Sequence, residues 1–341
     1  MSTGFWCLAV ATVLLGWQNM TFAGDTVTGD GPLGPWVEVS AAPAAVSRPA
    51  GAVVDGLFFV IGGESTGGGR LGLVQIYDPD ADEWDSVSAP AMPMPASNLC
   101  AGVVDGRIYV PGGWTGSVVL DSLQVLDVAT LTWEVVASDP MPGARYGAGC
   151  AAHEGRLYVF GGWDGSAGTA TTYVYDPTAS SGSRWTTMQS SGFAHVYTAA
   201  LSMNGLIFVA GFSDNLGGNF ATVAAFDPDL DAWVDYPALD TPRGGAGMWA
   251  LGNTLYVGAG GWSSYLTSVE AYDTSLGTEG SWQASEPMNL GRRTFGFATD
   301  DENGRLYAAT GWAAGFIDHA ESRQPAPTAV FKDGFESPPL P

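Results

Sequence analysis

Basic residues are scarce in this chain. Twelve Lys and Arg face 35 Asp and Glu across 341 residues, a formal net charge of −23. Phosphate backbones and anionic lipid surfaces are bound by clustered cations, so nucleic-acid and anionic-membrane partners are excluded as expectations. Histidine is scarcer still. His153, His195 and His319 are far apart and share no metal-ligand spacing, so no metal site and no cofactor is expected. Cysteine is too rare for a disulfide framework: Cys7 lies in the N-terminal apolar run, leaving Cys100 and Cys150. These two are expected as buried thiols, with one disulfide as the alternative. No segment shows a helical period of apolar residues, and after the N-terminal run none is apolar for long enough to cross a bilayer.

Glycine, by contrast, is abundant, with 48 residues, and 46 % of the chain is hydrophobic against 14 % charged. That is the balance of a folded protein rich in tight turns. Residues 1–23 read as a signal peptide, with an apolar stretch from Phe5 to Leu15 and small residues at Thr21 and Ala23 ahead of Gly24. The expected location is secreted or periplasmic. The acidity reads mainly as a solubility feature.

From Trp36 onward a period near 50 residues organises the chain. An apolar run closing on small residues recurs as FFVIGG (58–63), IYVPGG (108–113), LYVFGG (157–162), IFVAGF (207–212), LYVGAGG (255–261) and LYAATGW (306–312). Each run follows a turn such as Asp55-Gly56, Asp105-Gly106 or Asn204-Gly205, pairs that supply the positive φ of a two-residue hairpin. A third segment ends in Asp at 78, 127, 176, 227 and 273, where the carboxylate is expected to cap a turn. Then comes a Trp opening a fourth strand: Trp84, Trp133, Trp185, Trp233 and Trp282.

Paired glycines after a hydrophobic strand, in phase with aromatic-Asp and a spaced Trp, resemble the kelch repeat over residues 36–331. The resemblance implies an all-β fold, a six-bladed kelch-type β-propeller of four-stranded antiparallel blades. The implied layout is a signal peptide at 1–23, a lead at 24–35, a propeller over 36–336 and a tail at 337–341. The sixth copy has no Trp of its own, so the strand at Trp36 is expected to close the last blade. TAVFKD (328–333) is expected as that blade's third strand, and VFKDGFE also resembles a short tail on some exported proteobacterial proteins.

In such a blade the link after strand two and the link before strand one emerge on one face. Trp114, Trp163, Trp262 and Trp312, with Phe212 and Glu64 in the remaining blades, occupy the first position. Arg48, Arg145, Arg243 and Arg293, with His195 and Asn98, occupy the second. The expectation is a mouth of aromatic faces around inward guanidinium groups, suited to a glycan, peptide or protein ligand. The kelch resemblance adds an alternative, a carbohydrate-active enzyme similar to exported sialic-acid mutarotases. There Arg145, Arg243 and Arg293 would hold a sugar carboxylate and Glu64 or His195 would move a proton. The residue set of the galactose-oxidase-like copper enzymes is not matched. A third possibility is a rigid display scaffold.

Overall fold

The computed structural model describes residues 33–326. The signal peptide expected at 1–23 and the tail expected at 337–341 lie outside them. Six four-stranded antiparallel sheets follow one another round an axis. Blade one is β2 (Ala50–Val54), β3 (Leu57–Ile61), β4 (Val74–Asp78) and β5 (Glu83–Asp85); blade two is β6 (Gly102–Val104), β7 (Arg107–Pro111), β8 (Leu123–Asp127) and β9 (Thr132–Val135). Blade three is β10 (Gly149–His153), β11 (Arg156–Phe160), β12 (Thr172–Tyr175) and β13 (Trp185–Met188). Blade four is β14 (Ala199–Met203), β15 (Leu206–Ala210), β16 (Val223–Asp227) and β17 (Ala232–Tyr236). Blade five is β18 (Gly247–Leu251), β19 (Thr254–Gly258), β20 (Val269–Asp273) and β21 (Gln283–Ser285).

Blade six is β22 (Gly296–Asp300), β23 (Arg305–Ala309) and β24 (Ala320–Arg323), closed by β1 (Val37–Val39), which runs antiparallel to β24. The N-terminal strand thus closes the ring, as the sequence implies. The third strand of this blade is AESR at 320–323, however, and not TAVFKD. The segment 328–333 lies outside the described residues and its expected place is taken.

Second strands are buried along nearly their whole length, as in LFFVI of β3 and RLYAA of β23. Neighbouring blades cover both faces, so apolar residues run continuously instead of alternating. Outer strands such as TWEV of β9 are mostly exposed. Their tryptophans reach back: Trp84, Trp133, Trp185, Trp233 and Trp282 each donate the indole N–H to a link carbonyl, on Ser40, Pro90, Asp139, Gln189 and Pro237, at 2.7–3.0 Å. Each of these five outer strands is thereby tied to the link that enters its own blade. The five recurring Asp residues cap turns as expected; Asp227, for example, accepts from the N–H groups of Asp229 and Leu230 at 3.0 Å.

Close approach of the inner strands explains Gly51, where an added Cβ would stand 2.5 Å from the Phe297 backbone in blade six. It also corrects the expectation of free thiols. Cys100 and Cys150 lie on adjacent blades with Cα atoms 5.4 Å apart, and they form a disulfide. The inner strands are still close together at that level, within the reach of two Cβ–S arms. The bond closes a loop across a sequence separation of 50, a restriction of the unfolded chain worth roughly 2–4 kcal/mol.

Candidate binding mouth

The links entering the six blades fall into one register. In five of them a carbonyl accepts from the strand-two exit of the blade before: the N–H groups of Gly63, Gly113, Gly162, Gly260 and Gly311 donate to Ala96, Arg145, His195, Arg292 and Val46. Arg243 has the same place in blade five, since its guanidinium reaches Ala259 O as that of Arg145 reaches Gly161 O. Two residues later comes a second ring. Arg48 N–H donates to Thr294 O (2.7 Å), Thr294 to Gly245 (2.9 Å), Gly245 to Tyr197 (3.2 Å), Tyr197 to Gly147 (2.6 Å), Gly147 to Asn98 (2.8 Å) and Asn98 to Arg48 (2.9 Å). Six backbone hydrogen bonds therefore close a circle through all six blades. Every member of it has positive φ: Arg48 61°, Asn98 58°, Gly147 62°, Tyr197 55°, Gly245 65° and Thr294 47°.

This register corrects part of the expected site. Arg145, Arg243 and His195 do not face the mouth; all three are buried inside their blades. Arg145 donates to Tyr173 Oη at 2.7 Å and also to Thr169 Oγ1. Arg243 pairs with Glu270 at 2.6 Å. The matching arginine of blade six is Arg292, paired with Glu321 at 2.6 Å, and not its neighbour Arg293. His195 fills the same place in blade four, where β16 offers Ala224 in line with Tyr173, Glu270 and Glu321. Neither of its ring nitrogens has a partner. Burial, with Arg145 nearby, pushes its pKa down to about 3.

Phe212 is also displaced. In blade four the residue bridged to the entering link is Ser213, in the position Trp163 holds in blade three. Phe212 stands where the second glycine does and is buried between Phe193 and Phe220 at 5.4 and 5.3 Å.

The remaining residues do gather at one face. Trp114, Trp163 and Trp312 are half-buried and bridged to Ser97, Tyr146 and Arg293. Trp262 is one place later in its loop, held by Asn219 Oδ1 through its N–H at 3.0 Å. Contacts run continuously from there. Trp114 meets Tyr146 (5.9 Å between ring centroids), Tyr146 meets Tyr197 (6.4 Å), and Tyr197 meets Trp262 (4.9 Å). The guanidinium carbon of Arg293 sits 4.2 Å from the Trp262 ring centroid and 5.8 Å from that of Tyr265, whose hydroxyl accepts the Trp312 indole N–H at 2.9 Å. Arg48 pairs with Glu64 at 2.6 Å, and Glu64 with Arg70 at 3.2 Å.

Tyr146, Tyr197 and Tyr265 are the members that sequence reasoning missed. Tyr197 was the most accessible of them: laying the six links in register places it opposite Gly147 and Gly245, a position where a large side chain is conspicuous. Beneath the circle an axial cavity of about 330 Å³ runs between the first strands, lined largely by Ala, Gly and Val. The two groups expected to move a proton are poorly placed for it. Glu64 is held between two arginines and His195 is fully enclosed. Among the described residues no three His, Cys, Asp or Glu side chains converge where a metal could sit, and no helix is long and apolar enough to cross a membrane.

Comparison with known proteins agrees with the fold. Residues 50–261 match the model of the KLHDC2/KLHL20/DRC7 Kelch-repeats domain. A stretch of 86 residues is 37 % identical to Kelch-like protein terF of Aspergillus terreus, covering 24 % of this chain and 18 % of that protein. Another of 72 residues is 36 % identical to human Kelch-like protein 4, covering 20 % of this chain and 10 % of that one. The matched stretches thus span less than a fifth of these relatives. The solved structure of YjhT is similar in fold, with a TM-score of 0.70 at 16 % identity over 84 % of this chain and 99 % of that one.

Proposed function

Because this chain belongs to the kelch-repeat family, whose propellers serve as binding modules, we propose that it is an exported binding module. Its mouth takes a peptide, protein segment or glycan. The observation that carries this is the unbroken run Trp114–Tyr146–Tyr197–Trp262–Arg293–Tyr265–Trp312 across one face of the propeller. Half-buried aromatic rings offer flat apolar area at small entropic cost, and guanidinium groups supply directed donors beside them. Export rests on the signal-like residues 1–23, and a secreted or periplasmic chain beginning at Gly24 is what intact mass should show.

Saturation-transfer NMR with mixed neutral and acidic sugars and short peptides tests the binding reading. Transfer to at least one class is expected, and it should weaken about tenfold or more in Trp262→Ala and Trp312→Ala, since buried-rim tryptophans commonly carry 2 kcal/mol or more. Transfer that survives both substitutions would move the site off the mouth, and no transfer to any compound would reject the reading.

A further inference from the structure

The αL circle presents an asymmetry that folding alone does not require. Gly147 and Gly245 show that glycine satisfies the geometry, yet Arg48, Asn98, Tyr197 and Thr294 hold the same positive φ with side chains attached. For a bulky residue such as Tyr197 this conformation is strained, and strain of that kind collects where a side chain is needed at one particular point. Tyr197 belongs to blade four, but its ring meets Tyr146 of blade three and Trp262 of blade five. Burial raises the pKa of its hydroxyl, and Arg48 of blade one and Arg293 of blade six lie close enough to oppose that shift. Residues from four other blades therefore surround one ring at the axis.

The charges around it are also unusual for so acidic a chain. Arg48, Arg70, Arg107, Arg156, Arg184 and Arg305 each have a carboxylate partner. Arg293 alone among the partly exposed arginines has none among the described residues. It sits over the Trp262 ring and donates to Trp262 O at 3.1 Å. The rim carboxylates of Asp164 and Asp214 accept N–H groups of their own turns. Asn98 adds a buried Oδ1 with no donor.

We infer that Tyr197 is the specificity-determining residue of this mouth, and that with Arg293 it selects a ligand bearing a carboxylate on a flat body. The flat body lies along Tyr197 and Trp262, and the carboxylate meets the free edge of the Arg293 fork. This rests on the binding reading above and names the ligand class for it.

The test is a titration of the purified protein with phenylacetate and, separately, with the neutral phenylacetamide, followed by the indole N–H resonances of Trp262 and Trp312. Phenylacetate should bind about tenfold or more tightly than the amide, the difference between a charge-assisted and a neutral hydrogen bond. Arg293→Gln should erase that preference. Tyr197→Gly should weaken both probes while the fold is kept, because two equivalent positions already carry glycine; Tyr197→Phe should keep the stacking. Equal affinity for the two probes in the wild type, a preference that survives Arg293→Gln, or Tyr197→Gly binding both probes as the wild type does would overturn the inference. In those cases the indole shifts still report an occupied mouth, so the binding reading stands. No indole shift with either probe would also overturn it, and the saturation-transfer experiment then decides the broader reading separately.

Discussion

Arg292→Ala should destabilise the propeller by about 3–5 kcal/mol, the range for removing one member of a buried ion pair. The side chains of Arg292 and Glu321 are both fully buried, with Nη2 and Oε1 2.6 Å apart. Nη1 of Arg292 also donates to His319 O at 2.8 Å, while Glu321 accepts the Asn289 N–H at 2.8 Å. Alanine would strand a carboxylate with no solvent to receive it, and would remove the guanidinium donors to Thr310 O and His319 O as well. The position magnifies the loss, because Glu321 is on β24, the strand that pairs with N-terminal β1 to close the ring. Paired replacement, Arg292→Met with Glu321→Leu, should recover most of the loss, since it removes both charges together. Urea denaturation of the two variants measures the difference. If the double variant is no more stable than the single one, the stranded charge is not the cause.

Acid should weaken the fold from an unexpectedly high pH, and His195 should be responsible. Its pKa lies near 3 in the folded chain and at the ordinary 6.5 when unfolded. Below 6.5 the unfolded chain therefore takes up a proton that the folded chain refuses. Stability is fully present above pH 6.5 and is lost as pH falls toward 3, by about 1.4 kcal/mol per pH unit. Over the whole window this amounts to roughly 4–5 kcal/mol. Further down, Glu321 adds to the loss. Burial alone would raise its carboxyl, but His319, Arg292 and the Asn289 N–H together hold it below 4.5, so its contribution disappears as pH falls below that value. Unfolding midpoints of the wild type and His195→Leu between pH 7 and 4 separate the two. The leucine variant should keep its neutral-pH stability and lose the slope above pH 4.5. An unchanged slope would show that His195 is not the group being protonated.

Much of this molecule could be read from local chemistry. Asp-Gly turns, paired glycines and a phased Trp each encode a feature within a few residues, so blade number and strand order follow from them. Trp36 gave away the closure because it stands ahead of the first glycine pair with no strand of its own to finish. What escaped reading depended on partners far along the chain. AESR looks nothing like VQIYD, because Glu321 and Arg323 are buried charges whose partners sit on other segments: Arg292 for one, Gly34 O and Ser285 for the other. TAVFKD, with Phe331 in the aromatic place ahead of Asp333, was the better imitation of a third strand. The arginines misled for a different reason. The links vary by a residue or two, so Arg292 and Arg293, adjacent in sequence, serve opposite purposes, one locked in a blade and one open at the mouth. Cys100 and Cys150 were separable from free thiols only by knowing how near the inner strands remain at their level.

The circle of six backbone hydrogen bonds also bears on how the mouth handles charge. Each peptide group points along the circumference toward its neighbour, donor always to the preceding blade. Dipoles laid head to tail round a closed loop cancel, so the circle has no positive pole to offer, unlike the end of a helix. Its N–H groups are all spent on one another as well. An anion arriving at this floor meets a surface that is electrically quiet, and any preference for its sign must come from the few side chains standing above.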